Sequence, residues 1–578
     1  ERYAGPLAAL ANAMGAGVGL ADFLDLAWRT EIQNHPHDSI CGCSVDQVHT
    51  DMRFRFDQAA LIAENVVRAA SHAILQRERT GEPILAVFNP SFATEAVAVG
   101  EVELDDPSAR WVAVDGDGRR TPLAVDITRG ERAFEVELPA GEFKSIVAEL
   151  STPQILGRTV NRYEIKRAGD GRVELNLSLS RAAISDVDLA RFRDEVRNTI
   201  PDTGTIRVRA TNAARCGVSF VANGLAQAGF SFFRLVRDDS PEPAASASAA
   251  AIDNEFYRVG AAARGLLVRD IASGETLEIY FEDDGDRGDE YNYDPVPGSA
   301  AISTPTQVTI EAVEDGPVRK RLKLRLQFAV PEALAEDRAT RSSKTCDLSI
   351  SLIATLYQGL PRVDFVAEVD NHARDHRLRA ALRTPVQASE AVSDTAFAVL
   401  RRPLTPSEPR GTEEIYPTVP HRMVTAVEGE ALSAALMSRG LYEIEARPDA
   451  SGTTLLLTLL RCVGWLSRSD LAMRNGGAGP EVETPGAQEP GTHRFEFAIT
   501  TYRGGYLEAA LMQRAAAYAF PPRILPARES ATAARGMQLV RCANPNVLFS
   551  TARADEREGY YIVRAYSVSP ETERAEFS

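Results

Sequence analysis

One short segment of the 578-residue sequence concentrates side chains that bind metals or take part in catalysis. This His/Cys segment contains His35, His37, Asp38, Cys41 and Cys43. Imidazole and thiolate are the usual ligands of zinc, and an open catalytic site takes further ligands from distant parts of a chain. The spacing fits no closed zinc module, because a second Cys-x-x-Cys or His-x₃₋₅-His half is absent. By spacing alone, buried cysteines at a helix entry and an ordinary surface loop are the better interpretations.

A second segment, residues 281–293, is rich in Asp, Glu, Gly and Tyr. This acidic segment lacks the residue order and the closing Glu of a calcium-binding loop, so a solvated acidic turn is the simpler interpretation. Tyr291 and the neighbouring Asn292 nevertheless suit contact with a sugar, because a tyrosine offers a flat face with a polar tip. Arginines such as Arg461 and Arg468 could meet a sugar hydroxyl or a phosphate, but ion pairing between strands is the commoner role.

The elements that must position these residues change in character along the chain. Apolar residues recur at steps of three and four from Val45 to Ile74, which predicts one long amphipathic helix. A shorter helical pattern precedes the His/Cys segment, so residues 1–82 are predicted to form a helical bundle. Two further short helices are predicted near residues 187–196 and 507–518.

The rest of the sequence has the pattern of an all-β protein. Short runs of β-branched and aromatic residues are broken by Gly, Pro, Asn and Asp, which predicts antiparallel sandwiches. Small residues from Ala244 to Ala251 predict a linker between a small β-domain at 83–243 and a large C-terminal β-sandwich domain at 250–578. The predicted class is α+β overall and mostly β, with a helical-bundle segment followed by antiparallel β-sandwich domains.

Composition excludes several classes of partner. The formal net charge of -17 gives no positive surface for nucleic acid or for an anionic membrane. No apolar run approaches the roughly 18–20 residues that a membrane-spanning helix requires. Six cysteines scattered over a long chain predict free thiols and a cytoplasmic location. The chain begins at Glu1 rather than at a methionine, which suggests a fragment whose true start lies further upstream.

The residues around the His/Cys segment also resemble a known family. The sequence Asn-His-Pro-His-Asp-Ser-Ile-Cys-Gly-Cys at residues 34–43 is similar to the His-Asp-[Ala/Ser]-Ile-[Thr/Cys]-Gly motif of glycoside hydrolase family 38 α-mannosidases. Its Cys-Gly-Cys form, followed by Asp-x-Val-His, resembles the bacterial branch that includes mannosylglycerate hydrolases. The resemblance continues through several later segments, so that it spans nearly the whole chain. These are residues 253–259, 281–293, 359–365, 375–379, 460–468 and 484–488.

The resemblance implies roles for three residues. His37 corresponds to the histidine that binds the catalytic zinc, and Asp38 to the carboxylate that contacts the sugar. Tyr291 is the candidate for a tyrosine of the β-domain that reaches the mannose. The nucleophile, the acid and the other zinc ligands belong in this family to an N-terminal (β/α) barrel, to which nothing in this sequence corresponds. The chain would therefore supply one zinc ligand of four and no catalytic carboxylate.

The expected function follows from that division. The parent protein is expected to be a zinc-dependent retaining α-mannosidase that hydrolyses terminal α-mannosides, and this chain alone is expected to be inactive. One alternative is a mannosylglycerate or phosphomannosylglycerate hydrolase, and another is a non-catalytic carbohydrate-binding protein built from the same domains. The expected partner is an α-mannoside, with no nucleic acid or membrane, and a homo-oligomer is left open.

Overall fold

The structure is a computed structural model, and 18% of it is helix and 47% strand, which confirms the mostly β, α+β class. Within the part of the chain that the structure describes, no helix is both long and apolar enough to cross a membrane. The described residues are 1–16, 19–75, 83–104, 107–127, 132–155, 158–167, 173–180, 187–212, 215–238, 250–405, 414, 416–528, 537–555 and 559–578.

The helices lie mostly at the start of the chain. They are α1 (Ala4–Ala13), α2 (Leu20–Ile32), α3 (His37–Ile40), α4 (Asp46–Leu75), α5 (Ala140–Glu149), α6 (Leu189–Thr199) and α7 (Leu511–Ala519). Helix α4 is the long helix that the periodicity predicts, and its buried stripe includes Met52, Val66 and Ile74. Helices α6 and α7 confirm the two shorter predictions, whereas α5 was not predicted.

The strands fill nearly all of the remaining chain. Strands β1 to β12 are Pro83–Asn89, Glu95–Glu103, Trp111–Val114, Arg120–Pro122, Ala124–Ile127, Arg132–Pro139, Gln154–Ile155, Arg158–Arg167, Val173–Ser180, Thr205–Asn212, Arg215–Asn223 and Gly229–Arg237. Strands β13 to β23 are Ala251–Asp253, Tyr257–Ala262, Gly265–Asp270, Thr276–Gly285, Gln307–Asp315, Arg319–Pro331, Thr345–Tyr357, Val363–Asn371, His376–Thr384, Glu390–Thr395 and Ala398–Pro403. Strands β24 to β33 are Thr418–Pro420, Val424–Val427, Ser433–Ser438, Glu443–Asp449, Gly452–Cys462, Gly491–Tyr502, Arg523–Arg528, Met537–Gln538, Val547–Asp555 and Tyr560–Ser567.

A two-sheet sandwich forms the largest core. One sheet has the order β13-β14-β15-β16-β21-β28-β27-β24, and the other has the order β17-β18-β19-β20-β29-β26-β25-β22-β23. Both sheets are antiparallel, and their inward side chains form one apolar cluster that contains Phe281, Phe328 and Phe365. Alternating side chains of each strand point inward, because successive residues of a strand face opposite sides. Strand β16, which holds the first half of the acidic segment, is a central strand of this sandwich.

Two further sheets are built mostly from strands that precede the sandwich in sequence. The first has the order β4-β3-β12-β1-β30-β2-β11-β5, and helices α1 and α4 pack on it through Ala86, Phe88 and Phe230. The second has the order β6-β10-β9-β8-β7 and is covered by α5 and α6. Strands β32 and β33 form a separate hairpin. The C-terminal half of helix α4 thus packs on the first sheet, while its first turn faces the sandwich.

The division into units at 1–82, 83–243 and 250–578 stays a prediction. Strand β30 lies between β1 and β2, so the last part of the chain contributes a strand to the first sheet. The predicted linker falls almost entirely on residues 239–249, which lie outside the described residues.

Candidate functional site

The His/Cys segment forms an exposed corner between two helices. Helix α3 is a single turn that starts at His37 and is followed by Gly42 in the left-handed conformation (φ 79°), which lets the chain reverse into α4. The His37 side chain is 91% exposed and the Asp38 side chain 54% exposed. His37 Nε2 lies 3.5 Å from Asp38 Oδ1, and these two groups therefore face solvent side by side.

Contacts with the sandwich fix the chain that follows this corner. Cys43 Sγ lies 3.5 Å from the backbone oxygen of Glu290, and His49 Nε2 lies 3.8 Å from Glu290 Oε2. Asp46 Oδ2 accepts a hydrogen bond of 2.9 Å from the Gly486 amide. We call this set of contacts the α4 junction. It brings the start of α4 against the acidic segment, although the two are separated by more than 240 residues.

A close approach at the α4 junction explains the glycine at position 486. Gly486 lies in the 3₁₀ turn Pro485–Gln488. A methyl group on Gly486 would lie 2.8 Å from Asp46 Oδ1, so a larger residue there would push the two segments apart. Glycine at position 486 thus allows the turn to approach Asp46 this closely.

The acidic segment is buried, so its interpretation as a solvated acidic turn is wrong. Asp283, Asp286, Asp289 and Asp294 are each at most 1% exposed. In the first half of the segment, the register of β16 with β21 places Glu282 opposite Arg379 and Asp284 opposite Arg377. A buried carboxylate persists only where it is paired and hydrogen-bonded, and each of these strand carboxylates meets a guanidinium.

The loop after β16 is held by its own buried aspartates. Asp289 Oδ1 accepts hydrogen bonds from the amides of Tyr291 and Asn292 at 3.0 and 2.9 Å. Asp289 Oδ2 accepts from Arg474 Nη2 at 2.6 Å and from the Arg468 amide at 2.8 Å. Four donors to one buried carboxylate fix the loop conformation, and with it the direction of Tyr291.

A buried histidine completes the same network on the core side. His376 Nδ1 lies 2.6 Å from Asp283 Oδ2, and its Nε2 lies 3.1 Å from Asn371 Oδ1. Burial alone would lower the pKa of His376, but Cys462 and Asp283 beside it raise the pKa to about 10. Arg341 forms a second ion pair with Asp283. This cluster is a structural support, because His376 is fully buried and does not reach the surface.

Tyr291 lies close enough to the His/Cys corner for the charge of Asp38 to act on its phenol. Its ring lies against the backbone of Gly479, where a methyl group would be 3.3 Å from the phenol oxygen. Burial and the nearby Asp38 raise the pKa of Tyr291, which keeps the phenol protonated. A protonated phenol both donates and accepts hydrogen bonds, as contact with sugar hydroxyls requires.

The two arginines singled out in the sequence are structural. Arg461 Nε lies 3.0 Å from Asp286 Oδ2, and Arg468 forms an ion pair of 2.7 Å with Asp470. These contacts confirm the role of ion-pair partners. Residues that sequence reasoning missed are Arg474 and Glu290, whose partners lie about 180 and 240 positions away and leave no local pattern.

The described residues do not make a complete metal site. No group of three or more His, Cys, Asp and Glu side chains among them is placed to hold a metal ion. Cys41 is exposed, so its interpretation as a buried apolar residue is wrong, and Cys43 is half-buried. Burial and the nearby Cys41 raise the pKa of Cys43 to about 11. His37 is an exposed imidazole beside Asp38, and the two make at most part of a metal site.

Comparison with known proteins finds similarity over the sandwich and beyond it. Residues 252–467 match the family model described as the glycosyl hydrolases family 38 C-terminal domain. A protein of Halalkalibacterium halodurans named "Putative mannosylglycerate hydrolase" is 25% identical over 514 residues, which cover 84% of this chain and 51% of that protein. The chain thus spans about half the length of this curated relative. The matched family range includes Tyr291 but not His37 or Asp38.

Solved structures share the whole fold. An alpha-mannosidase from Enterococcus faecalis V583 is 22% identical, with a TM-score of 0.74 over 100% of this chain and 61% of its own length. A second Enterococcus faecalis protein, described as belonging to glycosyl hydrolase family 38, is 21% identical, with a TM-score of 0.71 over 100% of this chain and 64% of its own. The arrangement of helices, sheets and sandwich is therefore a known one.

Proposed function

Because residues 252–467 match the model of the glycosyl hydrolases family 38 C-terminal domain, we propose that the chain is part of a zinc-dependent retaining α-mannosidase. The observation that carries the proposal is the α4 junction, which sets the His37–Asp38 corner beside Tyr291. Two segments more than 240 positions apart thus present an imidazole, a carboxylate and a phenol on neighbouring surfaces. This is a suitable set of groups for holding a neutral sugar.

Each of the three residues has a distinct role in the proposal. His37 offers one imidazole nitrogen as a ligand of zinc. Asp38 accepts hydrogen bonds from sugar hydroxyls, and Tyr291 donates or accepts one through its phenol. The described residues provide one ligand rather than a closed zinc site, so no catalytic step is assigned to the metal. The nucleophile and acid of a retaining enzyme are two carboxylates about 5–5.5 Å apart, and the proposal places both outside this chain.

An exposed apolar surface supports the idea that a further domain completes the site. On α2 and α4 several large apolar side chains are more than 40% exposed, on the two helices that flank His37. They are Phe23, Leu26, Trp28, Ile32, Phe54 and Leu61. Such a cluster marks a surface that another folded unit covers. The chain covers only 51% of its curated relative and 61% of a structural one, and we assign the surface to the catalytic barrel of the same protein.

A mannosylglycerate or phosphomannosylglycerate hydrolase is the second candidate. The name of the Halalkalibacterium halodurans relative favours it. Such an enzyme differs from an α-mannosidase in the leaving group of its substrate rather than in the roles of His37, Asp38 and Tyr291. Kinetic comparison of an aryl α-mannoside with mannosylglycerate and its phosphorylated form distinguishes the two: a much higher kcat/KM for either of the latter replaces the first proposal with the second.

Metal content tests the role of His37 independently of activity. In the proposed longer protein, encoded by the complete reading frame, His37→Ala is expected to lower the zinc content per molecule. His35→Ala is the matched control, because His35 is an exposed histidine two residues away that pairs with Glu31 at 3.8 Å. Equal zinc content in both variants and the wild type contradicts the assignment. If that reading frame encodes no carboxylate-rich barrel, the chain is instead a carbohydrate-binding protein.

A further inference from the structure

The structure assigns a positioning role to Glu290, and this inference rests on the proposed function for its effect on catalysis. The Glu290 carboxylate holds the start of α4, and through it the His37–Asp38 corner, at a fixed place beside Tyr291. Glu290 touches neither of the two proposed sugar-binding side chains through a hydrogen bond. It acts on them by fixing the segments that carry them.

The surroundings of the carboxylate are unusual for a group that serves packing alone. Its side chain is 3% exposed, and no described residue donates a hydrogen bond of normal geometry to either oxygen, although the Thr484 hydroxyl and the Ser44 amide lie close by. The basic side chain that pairs with it is His49 near the start of α4, whose Nε2 lies 3.8 Å from Oε2. A buried carboxylate without hydrogen bonds costs several kcal/mol relative to water, so it persists where it attracts an opposite charge.

The pKa of Glu290 is raised by the same burial. Burial raises the pKa of this carboxyl, while Thr484, His49 and the Ser44 amide act in the opposite direction. These three groups come from both sides of the α4 junction. The charged form of Glu290 is therefore stabilised most when the start of α4 and the 484–488 turn are both in place.

The backbone of the same residue is fixed on the sandwich side. The Glu290 amide donates to the Trp465 oxygen at 3.0 Å, and the Glu290 oxygen lies 3.4 Å from Arg461 Nη1. Arg461 is itself paired with the buried Asp286. Residue 290 is thus a rigid base on the sandwich, and its side chain is the part that reaches the helix.

A short series of contacts leads from Glu290 to the proposed sugar-binding carboxylate. Cys43 Sγ lies 3.5 Å from the Glu290 oxygen, and the Cys43 amide donates to the Asp38 backbone oxygen at 2.8 Å. Displacement of the α4 start would therefore move Asp38 relative to Tyr291. The effect would be on the distance between the two sugar contacts rather than on either side chain.

The reactivity of Cys43 reports the state of this contact in the 578-residue chain itself. Alkylation by iodoacetamide, resolved for each cysteine by peptide mapping, is expected to be roughly three- to tenfold faster at Cys43 in Glu290→Gln. Glutamine keeps the size of the side chain and removes its charge. Cys346 on β19 is the internal reference. An unchanged rate at Cys43 overturns the inference.

A second Glu–His pair on the sandwich provides the matched control. Glu489 Oε2 lies 3.9 Å from His493 Nε2, but the Glu489 side chain is 55% exposed. Glu489→Gln is expected to leave the Cys43 rate unchanged. If Glu290→Gln does not fold, His49→Gln removes the same attraction from the helix side and is expected to give the same rise at Cys43. No rise in a folded His49→Gln variant overturns the inference.

Kinetics in the longer protein connect the contact to catalysis. Glu290→Gln is expected to lower kcat/KM for an aryl α-mannoside by roughly tenfold, mainly through KM, because the sugar contacts are misplaced rather than removed. Faster alkylation of Cys43 without any hydrolysis by the wild type overturns the proposed function and supports the positioning role. Normal hydrolysis by Glu290→Gln, with an unchanged Cys43 rate, overturns the positioning role and leaves the proposed function standing.

Discussion

The acidic segment and the His/Cys segment both concentrate side chains that could do chemistry, yet the structure treats them in opposite ways. In the acidic segment, Asp289 is buried and accepts hydrogen bonds from four groups. In the His/Cys segment, the His37 side chain lies beside Asp38 and is 91% exposed. The acidic segment is a fully paired structural element that fixes the orientation of Tyr291. The His/Cys segment is an open corner whose chemistry needs groups that the described residues do not supply. A local concentration of polar residues therefore indicates neither burial nor function.

The largest expected difference between the two segments is in stability. Asp289→Ala removes a buried carboxylate and leaves the buried Arg474 without this ion-pair partner. We therefore expect a loss of about 3–5 kcal/mol in the free energy of unfolding. Asp38→Ala, at an exposed position, is expected to cost less than about 0.5 kcal/mol. Urea unfolding of both variants makes the measurement. Equal losses would mean that the segments do not differ as described.

The pH dependence of stability tests the core side of the buried network. The pKa of His376 is raised from 6.5 to about 10, so its contribution is complete below pH 6.5 and is lost as pH rises toward 10. The advantage of the wild type over His376→Gln in free energy of unfolding is therefore expected to shrink by roughly 2–3 kcal/mol between pH 6.5 and pH 9. Urea unfolding at both values measures it.

An exposed histidine serves as the control for that experiment. His372 lies 3.1 Å from Asp370, and its side chain is 62% exposed. His372→Gln is expected to follow the pH profile of the wild type. If His376→Gln also follows that profile, His376 is not held as a cation in the folded protein.

The α4 junction offers an intermediate effect. Gly486→Ala places a methyl group 2.8 Å from Asp46 Oδ1, and we expect a loss of about 1–2 kcal/mol together with faster alkylation of Cys43. Gly116→Ala is the control, because a methyl group there meets nothing within 4 Å and the glycine does not have a positive φ. Thermal unfolding and peptide mapping provide the two readouts. A stable variant with a protected Cys43 would show that the contact is not tight.

The smallest expected effect is on the exposed apolar surface. Leu61 is 65% exposed on α4, so Leu61→Gln is expected to change the free energy of unfolding of this chain by less than about 0.5 kcal/mol. In the longer protein the same change is expected to cost more, because the proposed barrel covers that surface. Urea unfolding of both forms gives the comparison. Equal effects in the two forms would remove the support that this surface lends to a covering domain.

Local patterns in the sequence predicted the elements well. The apolar stripe of α4 has the 3.6-residue period of a helix, and the strand-rich remainder has the alternation and turn residues of antiparallel sheets. The motif around His37 and Asp38 identified the corner, because its residues are adjacent in sequence. Its assignment to zinc and sugar binding came from resemblance rather than from spacing, and it stays a prediction.

Long-range pairing explains what the sequence could not predict. The acidic segment is buried because Arg377 and Arg474 lie about 90 and 180 positions away, and no local pattern marks these partners. Strand β30 enters the first sheet between β1 and β2 for the same reason. The contact between Glu290 and His49 joins two segments that local periodicity treats separately. Each case depends on a non-local contact that a single sequence does not reveal.

One measurement addresses the central claim that this chain holds part of a site rather than a whole one. The 578-residue chain and the proposed longer protein, encoded by the complete reading frame, are each assayed with zinc and a chromogenic α-mannoside. We expect no turnover above buffer by the chain alone and clear turnover by the longer protein. Comparable turnover by the chain alone would contradict the claim.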